Sequence, residues 1–310
     1  MKIAILGAGG VGGYYGGALA SAGHHVSMLA RGPHLEALRA RGLEIRTPDG
    51  IFFANVAATG DPMELGKPDL AILSVKSYSL AEILPAVRLV AEKGATILPL
   101  LNGVEAVDRL ASGGIAKERL LGGLTHISAV RIAPGVVERR SPLQKVTVGE
   151  LDGCISGRVE RIASAFREAG AEAVVSHEIV ADLWRKLAFI ASMAAACGLA
   201  RAPLGRIRTA PLGPLLLSRA VHEVFAVARE RGVVLLDDEE EKTLRFIDSI
   251  GDGTKPSFLL DLEASGPTEL DDLCGAVSRL GREAGVPTPI HDTATAALGA
   301  ATASRRPETR

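Results

Sequence analysis

The chain contains little cysteine and no excess of charge of either sign. Its three cysteines, among 310 residues, form no CxxC pair, no zinc-type spacing and no disulfide framework, as is typical of the reducing cytoplasm. The formal net charge is −1, so nothing favours nucleic acid or an anionic membrane as a partner. With 47% hydrophobic and 23% charged residues, the composition is that of a globular protein with a substantial core.

Long hydrophobic runs are also absent from the sequence. No uninterrupted apolar run reaches the roughly 18 residues that a membrane-spanning helix needs, so no such helix is predicted. Lys2 and the apolar run 3–6 resemble the start of a secretory signal peptide, but glycines dominate from there to Gly17 and are poor material for its apolar segment. We therefore predict a cytoplasmic protein without a membrane partner.

The first half of the chain alternates apolar strand-like runs with helical patterns. This alternation predicts an α/β fold, with a parallel, doubly wound sheet covered by helices on both faces. The predicted strands are 2–6, 25–29, 70–75 and 95–100, and the predicted helices lie at about 11–22, 34–41, 79–92 and 104–111. Two hairpins are predicted at 43–58 and 130–140, and a strand at 145–149, a helix at 156–169 and a strand at 173–177 complete this part.

The pattern changes at about Glu178, after which no strand alternation is evident. Helices are predicted at 181–200, 209–232, 237–250, 256–264 and 268–285. We therefore predict a Rossmann-type domain over 1–178 and an all-helical domain over 179–310. The charged tail 304–310 is expected to fray.

The glycines after the first predicted strand carry the strongest local signal. Gly7, Gly9 and Gly12 match G-x-G-x-x-G between a strand and a helix, the context that indicates a dinucleotide site. The first glycine permits the tight turn, the second lets the backbone approach a pyrophosphate, and the third permits close helix packing. The predicted contact residues are Gly7, Ala8, Gly9, Gly10, Val11 and Gly12.

Arg31 indicates which dinucleotide this loop binds. An NAD site usually has an acid about 20 residues beyond the motif, where it accepts hydrogen bonds from ribose hydroxyls. Here Arg31 stands 19 residues after Gly12, and a guanidinium pairs with a 2′-phosphate instead. The sequence therefore favours NADP(H) and makes the first domain NADP-binding. The alternative is a surface arginine with the ribose held elsewhere.

Over essentially its full length, the chain resembles the ketopantoate reductase (2-dehydropantoate 2-reductase) family. The resemblance rests on LGAGGVGGYYG (6–16), LAR (29–31), SVKSY (74–78), LLNGVEA (100–106), LWRKLAF (183–189), KPSFLLDL (255–262) and TELDDLCGAV (268–277). It implies NADPH-dependent reduction of a 2-oxo acid to a 2-hydroxy acid, with 2-dehydropantoate in pantothenate biosynthesis the favoured substrate. It also implies a helical domain like that of 6-phosphogluconate dehydrogenase relatives, a substrate between the domains and a possible homodimer.

The resemblance assigns the catalytic role to Lys186, which matches the family's lysine in W-R-K-L. An ammonium donates a proton to, or stabilises, the oxyanion that forms as hydride reaches a ketone. The alternative is a solvated Arg-Lys pair on the edge of a helix. Glu269 matches the acid that orients the lysine or contacts the ligands, although Thr268 and Glu269 would also suit the start of a helix. His126 is a weaker acid/base candidate, and the thiols are expected to have no chemical role.

Three further residues are assigned to ligand binding, each with a plainer alternative. Asn102 would contact substrate and nicotinamide, although Asn-Gly is often simply a turn. Lys76 would attract the substrate carboxylate or the cofactor, or else be an exposed loop lysine. Ser257 matches a serine that binds the substrate carboxylate, or else caps a helix.

The sequence departs from the family four and eight residues beyond the lysine. Asparagines are common at both positions and line the substrate pocket, whereas Ile190 and Ala194 stand here. An apolar wall prefers an aliphatic or aromatic substituent. A related NADP-dependent reductase of a bulkier or less polar 2-oxo acid is therefore one alternative function. A non-catalytic dinucleotide-sensing protein is the other.

Overall fold

The computed structural model describes residues 1–303 as two compact units. The first comprises Met1–Leu101 and Ala106–Ile179, and the second comprises Asn102–Glu105 and the chain from Val180 onward. The segment 102–105, assigned by sequence to the first domain, groups with the second unit. The predicted fraying of the tail 304–310 lies outside the described residues.

The first unit is built from strands with covering helices. Its strands are β1 (Lys2–Leu6), β2 (His25–Leu29), β3 (Leu43–Thr47), β4 (Gly50–Ala54), β5 (Ala57–Thr59), β6 (Leu70–Leu73), β7 (Thr96–Pro99), β8 (Gly122–Ala133), β9 (Val136–Gly149) and β10 (Glu172–Val175). Its helices are α1 (Gly10–Ser21), α2 (Gly32–Arg41), α3 (Leu80–Glu92), α4 (Ala106–Ser112) and α5 (Gly157–Glu168), and α6 (Ile179–Ala200) begins at its last residue.

The central sheet is five-stranded and entirely parallel, in the order β5-β2-β1-β6-β7. Apolar side chains on both faces of β1 are buried, because Ile3 and Ile5 join the core that includes α1 while Ala4 and Leu6 join the core that includes α3. Burial on both faces explains the continuous apolar runs of these strands. The predicted α/β class, with a helical second part, is confirmed.

A second, mixed sheet was not predicted as a separate layer. Its order is β10-β9-β3-β4, with β8 paired antiparallel to β9. The predicted hairpin at 43–58 is present as β3 and β4, while the hairpin at 130–140 is only the tip of the longer β8–β9 pair. The sequence predicts the hairpins but not the sheet that contains them, because its pattern does not indicate which strands pair with each other.

Helix α1 lies against both sheets, and this explains glycines that the dinucleotide motif leaves unexplained. A Cβ at Gly13 would lie 2.7 Å from Val137 of β9, and one at Gly17 would lie 2.2 Å from Ile45 of β3. On the other side, a Cβ at Gly16 would lie 2.5 Å from Met28 of β2. The glycines therefore allow both sheets to approach one helix closely.

The second unit is helical, as predicted. After α6 it contains α7 (Leu204–Thr209), α8 (Gly213–Glu230), α9 (Glu239–Ser249), α10 (Ser257–Glu263), α11 (Cys274–Ala284) and α12 (Pro289–Ala303). The predicted helix 209–232 begins only at Gly213, because Leu212 has a left-handed backbone (φ 61°). The predicted helix 268–285 is broken at Leu273 into a short 3₁₀ turn and α11, and α7 and α12 were missed.

Helix α6 is the most apolar helix of this unit. It is long and apolar enough to cross a membrane by length and composition, but 61% of its most apolar 18-residue stretch is buried inside the protein. A core helix meets the same criteria, so this feature is weak evidence for a membrane span. The cytoplasmic location stays a prediction.

Candidate active site

The parallel register brings the carboxyl ends of the strands to one edge of the central sheet. Leu6, the last residue of β1, is aligned with Leu29 of β2 and Leu73 of β6. The segments after these strands carry Gly7, Arg31 and Lys76, and ligands of open parallel sheets bind at this edge. The sheet topology therefore brings together three segments that are widely separated in sequence.

The glycine loop turns so tightly that side chains are excluded from two of its motif positions. Gly7 has φ +107°, and a Cβ there would lie 2.8 Å from the backbone nitrogen of Val75. A Cβ at Gly12 would lie 2.2 Å from both the Gly7 carbonyl oxygen and the Ser74 hydroxyl. The Ser74 hydroxyl also donates to the Gly7 carbonyl (2.9 Å) and ties the loop to the end of β6.

Gly9 differs from these two glycines because the space beside it is open. Apart from the chain neighbours of Gly9, no heavy atom of the described residues lies within 4 Å of a Cβ placed there, and Gly9 is the N-cap of α1. The first backbone N–H groups of a helix have no partner inside the helix and carry the positive end of its dipole. This combination fits the close approach of a pyrophosphate to the backbone.

Gly10 and His34 hold the glycine loop in position, and the sequence alone does not indicate that either residue does so. A Cβ at Gly10 would lie 2.0 Å from the Ala129 carbonyl oxygen, so β8 closes on the start of α1. The buried His34 contacts the Ala8 carbonyl through Nε2 (2.8 Å), and its Nδ1 accepts from the Gly135 N–H (2.9 Å). These bonds assign the proton to Nε2, and burial keeps the pKa of His34 below its usual value. His34 lies 26 residues beyond Ala8, so the glycine motif does not indicate this contact.

Arg31 lies two residues beyond β2 and caps the N-terminus of α2 with an extended backbone. Its side chain is exposed and forms an ion pair with Glu82, which lies in the first turn of α3. Lys76 follows β6, is half-buried and precedes a short 3₁₀ turn. Both cations therefore stand where the sequence placed them, beyond the carboxyl ends of strands.

Lys186 projects from α6 within the helical unit and is half-buried. Burial lowers the pKa of its ammonium from 10.5 to about 8, and the Glu269 carboxylate partly opposes that shift. Its neighbour Arg185 is paired with Glu239 (2.7 Å) and Asp182 (2.8 Å). The two cations are therefore not a solvated pair on the helix edge.

Asn102 and Glu269 are in direct contact in the same unit. The Asn102 side-chain amide donates to the Glu269 carboxylate (3.1 Å), and Glu269 is only 5% exposed. Thr268 caps no helix here, because Glu269 is itself the N-cap of the 3₁₀ turn and makes no side-chain capping bond. The structure thus brings together three of the predicted residues, Asn102, Lys186 and Glu269.

The segment 102–105 is fastened to the helical unit at two further points. Gly103 has φ +93°, and a Cβ there would lie 2.9 Å from the Asp272 carbonyl oxygen. Glu105 accepts two bonds from Arg279 of α11, at 2.5 Å and 3.3 Å. This pair was not anticipated, since the two residues are 174 positions apart in sequence.

The remaining predicted binding residues differ in how deeply they are buried. Ile190 is half-buried one turn beyond Lys186, whereas Ala194 has no exposed surface and belongs to the core of the helical unit. Ser257 is the exposed first residue of α10, where Pro256 is the N-cap. The neighbouring Phe258 packs against Gly198 of α6, where an added Cβ would lie 2.8 Å from its ring.

The weaker candidates are built into other parts of the fold. His126 lies within β8 and pairs across the strand with Lys145. Burial raises the pKa of the Cys197 and Cys274 thiols to about 11 and about 12, respectively. Such thiols are poor nucleophiles at neutral pH.

Comparison with known proteins agrees with this architecture in both halves of the chain. Family models for "Ketopantoate reductase PanE/ApbA" and its C-terminal region match residues 3–153 and 178–302. The chain is 32% identical to the uncharacterized oxidoreductase YkpB of Bacillus subtilis, over 96% of this chain and 98% of that protein. It is 31% identical to a 2-dehydropantoate 2-reductase of Halobacterium salinarum, over 94% of this chain and 95% of that protein.

A crystal structure of a PanE/ApbA family ketopantoate reductase from Ralstonia eutropha superposes with a TM-score of 0.90 at 29% identity. The match covers 99% of this chain and 100% of that one. The predicted family and the prediction of an oxidoreductase are thereby confirmed. The chain belongs to the ketopantoate reductase family.

Proposed function

We propose that the chain reduces a 2-oxo acid to a 2-hydroxy acid with NADPH, and that Lys186 is the proton donor. The observation that carries this proposal is the cluster of Lys186, Glu269 and Asn102, in which a partly desolvated ammonium has its pKa lowered to about 8. Strongly shifted titratable groups are concentrated at catalytic sites. The family and the glycine loop support the same reaction class.

The glycine loop would hold the cofactor through its backbone. The open space at Gly9 admits a pyrophosphate oxygen, and the N–H groups at the start of α1 donate to it. Arg31 pairs with the 2′-phosphate that distinguishes NADPH from NADH. When bound, the reduced nicotinamide supplies a hydride to the substrate carbonyl carbon.

Lys186 would protonate the carbonyl oxygen as negative charge develops there. A pKa of about 8 leaves the ammonium charged at neutral pH and able to release its proton readily. The Glu269 carboxylate favours the charged form of the lysine and fixes the Asn102 amide. Asn102, so oriented, keeps its carbonyl oxygen and second N–H for ligands. Lys76 is assigned to the substrate carboxylate or the cofactor, and Ser257 is assigned to the substrate carboxylate.

The favoured substrate is 2-dehydropantoate, but Ile190 supports a second candidate. A half-buried isoleucine one turn from Lys186 offers no hydrogen bond to a substrate hydroxyl. Such a wall accepts bulkier aliphatic or aromatic groups with weak discrimination. A less polar 2-oxo acid is therefore the alternative substrate.

Initial rates decide between these possibilities. We would measure kcat/KM for 2-dehydropantoate, 2-oxoisovalerate and phenylpyruvate, each with NADPH and with NADH. A strong preference for 2-dehydropantoate supports the first assignment, and higher values for the other acids support the alternative. An Ile190→Asn variant should shift the preference toward the hydroxyl-bearing substrate. Tight NADPH binding without turnover of any 2-oxo acid would instead identify a dinucleotide-sensing protein.

We also propose a cytoplasmic homodimer, and the resemblance to the family supports the dimer. Light scattering of the purified protein measures its mass directly. A single species at the monomer mass of 32.2 kDa would overturn the dimer assignment.

A further inference from the structure

An acidic side chain stands beside Arg31, the residue assigned to the cofactor 2′-phosphate. The Arg31 guanidinium donates from Nη1 to Oε1 of Glu82, and the side chains remain 65% and 59% exposed. Both groups are thus accessible to a ligand at this edge of the sheet.

Glu82 reaches this position from a different element. In an NAD site the acid usually follows the second strand, and here Arg31 occupies that place. Glu82 lies in the first turn of α3, after β6 and 51 residues further along the chain. The fold therefore places a carboxylate beside the end of β2, where the local sequence supplies only a cation.

The two cofactors interact with this pair in opposite ways. A 2′-phosphate brings about −1.5 to −2 charges to Arg31, so it competes with Glu82 for the guanidinium and is repelled by the carboxylate. A ribose 2′-hydroxyl carries no charge, and it can donate a hydrogen bond to the same carboxylate. Glu82 therefore disfavours NADPH and favours NADH, while Arg31 does the reverse.

We propose that Glu82 is a specificity-determining residue that limits the preference of this site for NADPH over NADH. This inference rests on the proposed assignment of Arg31 to the 2′-phosphate. An exposed ion pair contributes little to stability, so the contact has no large structural role. An acid in the first turn of α3 also suits the helix dipole, but that effect is equal for both cofactors.

The test compares cofactor binding without any substrate. Dissociation constants for NADPH and NADH are measured by nicotinamide fluorescence for the unmodified chain and for Glu82→Gln, Arg31→Ala and the double variant. Glu92→Gln is the matched control, because Glu92 is an exposed acid about 15 Å further along the same helix.

We expect Glu82→Gln to bind NADPH about 2- to 5-fold more tightly and NADH about 2- to 5-fold more weakly, the range of a single exposed charge interaction. The gain for NADPH should be smaller in the Arg31→Ala background, where no guanidinium is released. Glu92→Gln should leave both dissociation constants unchanged. This result would show that the effect of Glu82→Gln does not come from the loss of one negative charge anywhere on the helix.

Two outcomes overturn the inference, and they are distinguishable. If Arg31→Ala weakens NADPH but Glu82→Gln changes neither constant, or shifts both in one direction, Glu82 does not determine specificity. If Arg31→Ala leaves NADPH binding unchanged, the proposed 2′-phosphate site is itself wrong.

Discussion

The glycine loop and the lysine cluster are built in contrasting ways. The loop consists of six consecutive residues, and its chemistry is that of the backbone at the start of α1. The cluster unites Asn102, Lys186 and Glu269, which come from three distant parts of the chain, and its chemistry is that of side chains. A backbone site is determined by local spacing, whereas a side-chain site depends on how the helices pack.

The two sites also differ in how much they lower the stability of the folded state. The loop requires a positive φ at Gly7, which glycine adopts without strain. The cluster requires a partly desolvated ammonium, which disfavours the folded state whenever Lys186 is protonated there. This penalty is fully present below pH 8 or so and disappears as the pH rises toward the unfolded-state pKa of 10.5.

The largest expected effect comes from removing the ammonium. Lys186→Met should lower kcat by at least ~10²-fold, the usual contribution of a general acid. At pH 7 the same change should raise the free energy of unfolding by about 1–3 kcal/mol, because a buried charge is lost. Steady-state kinetics and urea unfolding measure the two effects.

Lys242→Met is the matched control, since this exposed lysine of α9 is paired only at the surface with Asp238. It should leave kcat unchanged. A Lys186→Met enzyme with kcat within a few-fold of the original would exclude Lys186 as the proton donor.

Alanine at two glycines should separate binding from folding. Gly9→Ala places its Cβ in open space, so we expect normal stability but NADPH binding weaker by ~10- to 100-fold. Gly12→Ala would clash with Gly7 and Ser74, so it should lower the free energy of unfolding by about 2–4 kcal/mol. Thermal unfolding and cofactor titration test both expectations.

Gly253→Ala serves as the control, because its Cβ also meets no atom within 4 Å but lies in a loop of the helical unit. If Gly9→Ala bound NADPH as well as this control did, the loop would not approach the cofactor as proposed.

The pH dependence of the reduction rate tests the Lys186 cluster separately from the glycine loop. The proposed reduction requires protonated Lys186, whose folded-state pKa is about 8. The rate should be level below that pH and fall about tenfold per unit above it. NADPH binding measured over the same range should not follow this profile. A rate that stays constant up to pH 10 would contradict the assignment of Lys186 as the acid.

The smallest effect is expected at the Glu105–Arg279 pair, which fastens the segment bearing Asn102 to α11. Arg279→Met should lower kcat/KM by about 2- to 10-fold, because a partly exposed pair is worth about 1 kcal/mol. Arg279→Lys should retain part of the activity, and Glu105→Gln should add nothing to Arg279→Met.

Arg282→Met, on the exposed side of the same helix, is the control for this pair. Additive losses in the Glu105–Arg279 double variant would show that the two residues act separately.

Much of the fold could be predicted from the sequence, because its signals are local. The apolar runs of β1, β2, β6 and β7 and the helical patterns between them predicted the parallel sheet, and the change in pattern near Glu178 predicted the helical part. The second sheet was not predicted, because β3 pairs with β9 across some 90 residues. Strand pairing over such a distance leaves no local pattern.

The candidate site was predictable to a similar extent. Motifs indicated Lys186, Glu269, Asn102 and Arg31, but they carried no information about the contacts between them. The contacts made by His34, Glu82 and Arg279 were missed, since each of these residues contacts a residue that is distant in sequence. No motif includes such partners.

The sequence by itself determined the glycine turn, the alternation of strands and helices in the first half, and the chemical identity of the groups in the candidate site. These depend on backbone conformation and on side-chain type, which neighbouring residues specify. Only the tertiary structure decided that the Lys186 ammonium is desolvated near Glu269, that Asn102 belongs with the helical unit, and that an acid faces Arg31. Desolvation and ion pairing depend on distances between groups, and packing alone fixes those distances.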